Sequence, residues 1–204
     1  MKKIVSVTML LTALAGTDLL AMPYYGYGQP MARTPQVEEA GPGQLLREGM
    51  TKLLKFMRQK QRPSQQMIGA FVEREIAPYF DFDYMTHWVA GPMNRHMTDQ
   101  QRAEMVNSVK TMLLGTLTQR LVGYENQDVR FYRPRRAGEN EVKVRVGILQ
   151  ASGYPANIDF RFYRSTDGWK VFDVSANGNS ALTYYRQHFS RQLGQRGQSR
   201  TYRR

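Results

Sequence analysis

The sequence predicts an α+β fold: helices first, then an antiparallel four-stranded meander, then a closing helix. Three observations carry this. Apolar residues recur at three- and four-residue spacing as far as Tyr124, the period drops to two from Asp128 onward, and the breaks between the alternating runs are short enough for hairpins. Helices followed by strands gather on one face of the sheet in such folds. A chain of 204 residues suits one domain with tails, large enough to bury a core and a cavity.

The elements follow in order. Lys2 and Lys3 precede an apolar run, Ile4 to Ala15, too short to span a bilayer, and small residues follow it, so residues 1–21 read as a secretory signal cleaved after Ala21. Residues 22–43 hold Pro23, Pro30, Pro35, Pro42 and the Tyr24-Tyr25-Gly26-Tyr27 cluster, a flexible linker that builds no core. The folded domain then runs from 44 to 193. Leu46, Met50, Leu53, Leu54 and Met57 form one stripe of an amphipathic helix. Ser64 is the N-cap of a second helix, marked by Ile68, Phe71, Val72, Ile76 and Tyr79 and ended by Pro78. In FDFDYMTHWVAG, Asp81 or Asp83 caps a short helix that Gly91-Pro92 stops. Thr98 and Gln101 have the spacing of a capping box, opening a long helix with Met105, Val109, Met112, Leu113, Leu117 and Leu121 on its apolar face.

Val129 and Phe131 begin the alternation. Val142, Val144, Val146 and Ile148 then alternate with Lys143, Arg145 and Gly147, and Ile158, Phe160 and Phe162 with Asp159, Arg161 and Tyr163. In WKVFDVSANGNSALTYYRQHF, the last strand carries apolar residues on both faces, turns at Asn177-Gly178-Asn179-Ser180, and leads into a helix with Leu182, Tyr185 and Phe189 on one side. Residues 194–204, with Arg196, Arg200, Arg203 and Arg204, read as a basic disordered tail.

Charge and chemistry narrow the function. The formal charge of +12 points to a polyanion, an anionic membrane or an acidic partner. Export argues against nucleic acid as that partner, despite the arginines and tyrosine of residues 130–136. With no cysteine, disulfides, thiolate metal sites, catalytic thiols and acylation at the cleavage point are excluded. His87, His96 and His188 lack metal-ligand spacing, and neither GxSxG nor HExxH occurs. No metal, cofactor or catalytic residue is expected. The one enzyme alternative is an orienting acid and base made by Asp83 and His87, four apart on a helix.

FDFDYMTHWVAG and WKVFDVSANGNSALTYYRQHF, in this order behind a signal, resemble the MlaC family, the periplasmic phospholipid-binding component of the Mla ABC transport system, also known as toluene-tolerance proteins. The resemblance covers about Leu45 to Phe189. It implies an NTF2-like α+β domain holding phospholipid tails between sheet and helices. It also implies a monomer that shuttles lipid, with transient membrane contact, between an outer-membrane lipoprotein complex and an inner-membrane ABC transporter, a role in outer-membrane lipid asymmetry. The enzyme alternative would sit on the same scaffold. Two departures are local: Asn177-Gly178-Asn179 stand where the family tends to have an acidic residue, Gly and an aliphatic one, and Tyr184-Tyr185-Arg186 where it tends to have Asn-Tyr-Arg.

Carrying a phospholipid means shielding acyl chains whose exposure costs ~0.8 kcal/mol per methylene, on the order of 25 kcal/mol for two chains of about sixteen carbons. The expected tail-binding residues are Val144, Val146, Ile148, Ile158, Phe160 and Phe162 from the strands, with Phe71, Trp88, Leu113, Leu117 and Val174 beside or opposite them. Met67, Met85, Met105 and Met112 add adaptable side chains. Arg145, Arg161 and Tyr163 are the candidates for a headgroup phosphate at the mouth. The bound phospholipid is cargo, not cofactor.

Overall fold

Helix formation begins where capping allows it. The computed structural model describes residues 41–150 and 153–201; the expected signal and most of the expected linker lie outside the described residues. Gly41, in extended conformation, caps α1 (Pro42–Met57), and Pro42 occupies the first turn, where a missing N–H leaves nothing unpaired. The helix therefore starts before the expected Gln44. The Ser64 hydroxyl accepts from the Met67 N–H at 3.3 Å and opens α2 (Gln65–Phe71).

The expected continuation of α2 to Tyr79 is not one α-helix. Val72–Ile76 widens into a π turn, with the Ala77 N–H reaching back to the Val72 carbonyl, and Ala77–Tyr79 tightens into a 3-10 turn. Pro78 is the physical reason, since it has no N–H to donate and its ring crowds the carbonyl four residues earlier. The Asp81 carboxylate then accepts from the Tyr84 N–H at 2.8 Å and caps α3 (Phe82–Ala90), which ends at Gly91 with φ +54°. The capping box forms as expected, Gln101 N–H to the Thr98 hydroxyl at 3.2 Å and Thr98 N–H to the Gln101 side chain at 2.9 Å, and opens α4 (Asp99–Val122). Among the described residues no helix is long and apolar enough to cross a membrane.

The meander is present as β1 (Val129–Phe131), β3 (Glu141–Ile148), β4 (Ala156–Ser165) and β5 (Gly168–Ala176), each antiparallel to its neighbour. Two short pieces raise the strand number above the expected four. After β1 the edge strand is interrupted through Pro134, which cannot donate to a ladder, and resumes as β2 (Arg135–Arg136) on β3. Asn177 and Gly178, with φ +49° and +87°, form the two-residue turn that a tight hairpin demands, and it returns β6 (Asn179–Ser180) against β5.

Register sorts the side chains. Val142, Val144 and Val146 lie opposite Phe162, Phe160 and Ile158, so one face of the sheet is apolar. Val144, Val146, Phe162 and Val171 are buried on it together with Leu46 of α1. In β5 the alternation breaks: Phe162 pairs with Val171, Arg161 with Asp173 and Phe160 with Val174, a bulge that leaves Phe172 as the extra residue. Phe172 is fully buried with Met85 and Val89 of α3, Val109 and Leu113 of α4, and Leu182 and Tyr185. The helices thus do not all gather on one face. The apolar face receives α1, while α3 and the closing helix pack beside Phe172 and Tyr163 on the face that also carries Arg161.

That closing helix, α5, runs Ala181–Thr201. Its start is anchored to β5 by Asp173, 1% exposed, whose carboxylate accepts from the Ser180 hydroxyl at 2.9–3.0 Å and the Leu182 N–H at 3.3 Å. The backbone of α5 continues helical through residues 194 to 201. One further connection joins helices to sheet. Phe80 bridges Val171 in parallel, and the Asp81 N–H donates to the Val171 carbonyl at 3.0 Å.

Candidate functional site

The amphipathic stripe of α1 lies over the apolar face of the sheet without filling it. A cavity of about 70 Å³ remains between them, lined by Leu45, Leu46, Gly49, Met50 and Leu53 of α1, by Ile76, Tyr79 and Phe80 of the turn before α3, by Leu117 of α4, and by Phe160, Phe162 and Val171 of the sheet. Every lining residue but Gly49 is apolar or aromatic. Gly49 is where α1 approaches closely, since a Cβ there would lie 3.4 Å from the Tyr79 ring. A larger hollow of about 660 Å³ beside α2 and α4 is lined by Gln65, Thr111, Thr116, Gln119 and Arg120 among others, and offers a hydrocarbon little.

The attachment of α1 is as informative as the space beneath it. Leu46, Leu53 and Met57 are buried, Arg47 lies over the Phe131 ring at 5.0 Å and Lys52 over Tyr79 at 5.9 Å. Among the described residues no hydrogen bond or ion pair joins α1 to the sheet. Apolar contact holds the helix down, and acyl chains can replace such contact at little net cost.

The expected tail-binding residues divide. Leu117, Phe160 and Phe162 line the cavity. Val144 and Val146 are buried in the same cluster, with Val174 packed against it, and Ile148 and Ile158 are half-buried on the same face. Three others lie elsewhere. Phe71 stacks on Phe56 at 4.2 Å in a cluster between α1, α2 and α4. Leu113 belongs to the core around Phe172. Trp88 stacks on Phe172 at 6.3 Å, beside Arg161 and away from the cavity; a short helix whose entry is fixed at Asp81 carries it past the bulged strand. The cavity residues of α1 and the turn, from Leu45 to Leu53 and from Ile76 to Phe80, were not assigned to a site from sequence. Glycine within an apolar stripe was the available signal.

Arg145, Arg161 and Tyr163 do not meet at the cavity mouth. Strand alternation places all three on the opposite face. Arg145 forks onto Asp159 at 2.6 and 2.9 Å, and that hydrogen-bonded guanidinium holds the Asp159 carboxyl below its usual range. Arg161 bonds Glu141 at 2.9 Å, lies 3.6 Å from Asp173 and covers the Phe172 ring at 4.5 Å. The Tyr163 hydroxyl donates to Asp81, and burial, then this bond, pushes its ionisation up. His87 meets Asn94 at 2.7 Å, and no hydrogen bond links it to Asp83, which stays exposed on the first turn of α3.

An open antiparallel sheet with an apolar cavity under a helix that, among the described residues, no hydrogen bond or ion pair ties to it defines an α+β domain built around an apolar interior. The chain belongs to the MlaC family, whose model, described as MlaC protein, matches residues 47–203. It is similar to the solved structure of a phospholipid-binding protein from Ralstonia solanacearum in complex with a phospholipid. The TM-score is 0.67 and the identity 25%, over 78% of this chain and 89% of that one. No curated protein matches the chain.

Proposed function

We propose that the chain is a periplasmic phospholipid carrier, not an enzyme, that takes acyl chains between α1 and the apolar face of its sheet and shuttles lipid between an outer-membrane lipoprotein complex and an inner-membrane ABC transporter. The wholly apolar cavity beneath α1 is the observation that carries this reading, and the phospholipid in the similar Ralstonia solanacearum structure supports it.

The volume dictates how loading works. A methylene takes about the 30 Å³ share of a water in the liquid, and all the empty space between α1 and the sheet, its open mouth included, comes to about 500 Å³. Two chains of about sixteen carbons need on the order of 900 Å³ by the same figure. Loading therefore requires α1 to separate from the sheet, exchanging contact with Leu46, Met50 and Leu53 for contact with acyl chains. The exchange is apolar for apolar, so small differences in lipid affinity at either membrane set direction.

The test is native mass spectrometry of the full chain purified without detergent, followed by lipid extraction. A stoichiometric phospholipid is expected. A lipid-free mass with no uptake from labelled liposomes would sink the carrier reading.

A further inference from the structure

We propose that the basic edge of the sheet, Arg130, Arg133, Arg135 and Arg136, is a docking surface for an anionic phospholipid bilayer. All four arginines are exposed on the edge strand formed by β1, β2 and their junction. Among the described residues none of their guanidinium groups pairs with a carboxylate, and only that of Arg136 makes a hydrogen bond, to the backbone carbonyl of Glu139 at 3.4 Å. Arginines deeper in the sheet differ: Arg145 and Arg161 each hold a carboxylate. A cation on an edge strand deters pairing with another chain, which accounts for one charge and not for four without counterions.

Two features select a bilayer over other anions. Tyr132, 37% exposed, lies across Gly147 among these arginines, and a tyrosine flanked by arginine suits the headgroup layer, where its ring and its hydroxyl both find partners. The edge also abuts the start of α1. A Cβ on Gly43 would lie 2.8 Å from the Pro134 ring, and Arg47 covers Phe131. Leu45 and Leu46, next along α1, reach the cavity, so docking by this edge puts that end of the cavity at the membrane surface. Choosing a bilayer rests on the carrier reading above.

The test is flotation of the full chain with vesicles of phosphatidylcholine, alone or doped with phosphatidylglycerol, at low and high salt. Binding to the doped vesicles only, falling with salt, is expected. Each arginine near an anionic surface contributes about fivefold in affinity, so R133Q/R135Q/R136Q should bind about a hundredfold more weakly. A matched variant at exposed sites elsewhere, R58Q/K60Q/R120Q, should bind like the parent. Equal loss in both variants would reduce the effect to net charge and overturn the proposal, as would undiminished binding of the edge variant. So would a parent that ignores doped vesicles yet binds immobilised polyglutamate through the same arginines, which would make the partner an acidic protein. Circular dichroism of both variants checks folding, and lipid extraction separates the two readings. A lipid-free parent that still binds doped vesicles sinks the carrier reading alone, and a lipid-loaded parent indifferent to them sinks the docking surface alone.

Discussion

Phe160 offers the sharpest way to separate lipid binding from folding. It lines the cavity and is half-buried, whereas Val146, in register with Ile158 on the same face, is 1% exposed and part of the fixed core. Aspartate at Val146 should unfold the protein. Aspartate at Phe160 can stay hydrated while α1 rests on the sheet, but it must face hydrocarbon once acyl chains enter. A carboxylate in that setting neutralises instead of staying charged. Protonating an ordinary aspartate at pH 7 costs about 4 kcal/mol, about a thousandfold in lipid affinity. Phe160→Asp should therefore purify folded and lipid-free at neutral pH. It should take up labelled phospholipid near pH 4, approaching the behaviour of Phe160→Asn, which lacks the titration. Circular dichroism and lipid extraction at the two pH values read this directly. A folded Phe160→Asp protein carrying the parent's phospholipid at pH 7 would refute the assignment of this cavity to acyl chains.

Two further predictions concern stability. Asp173→Ala removes the carboxylate that receives Ser180, the Leu182 N–H and Arg161; it should cost about 3 kcal/mol, read as a lower urea midpoint, with a loss under 1 kcal/mol counting against the anchor. Tyr185, 4% exposed, has its ionisation pushed up to about 12, mainly by burial. Since the raised value belongs to the folded state, its contribution is intact below pH 10 and is lost as pH climbs from 10 toward 12. That loss amounts to about 2–3 kcal/mol. Tyr185→Phe should flatten this alkaline decline in pH-dependent denaturation, and an unchanged slope would place the effect elsewhere, Tyr163 being the next candidate.

What could be read from the sequence was what short-range chemistry fixes. Thr98 with Gln101, and Ser64, announce helix starts because the capping groups lie within one turn of the amides they bind, and the same chemistry narrows the start of α3 to Asp81 or Asp83, of which Asp81 makes the cap. The register of β3 on β4 follows from two alternating runs that must share one apolar face. The bulge in β5 was not legible: Trp169, Val171, Phe172 and Val174 read as a strand apolar on both faces, and only the register shows Val171 and Val174 on one face while standing three apart. The site was less legible because it depends on which surfaces meet. Leu46, Gly49 and Met50 read as an ordinary helix stripe, and nothing local says that α1 closes the apolar face while α3 carries Trp88 to the other side. Arg145, Arg161 and Tyr163 were sent to the cavity mouth although their alternation with the tail-facing residues already placed them opposite it.

The connection at Phe80 and Asp81 divides the protein's resistance to opening. Backbone bonds to Val171, the cap of α3 and the bond from Tyr163 all converge on this point, so the segments that follow it are locked to the sheet. Those preceding α2 are not. Amides of α1 should exchange with solvent through a local, low-energy opening, while those of β5 and α3 should await global unfolding. On the carrier reading proposed above, the same lock confines the disturbance of cargo entry to one end of the chain and leaves the other end the same surface whether filled or empty.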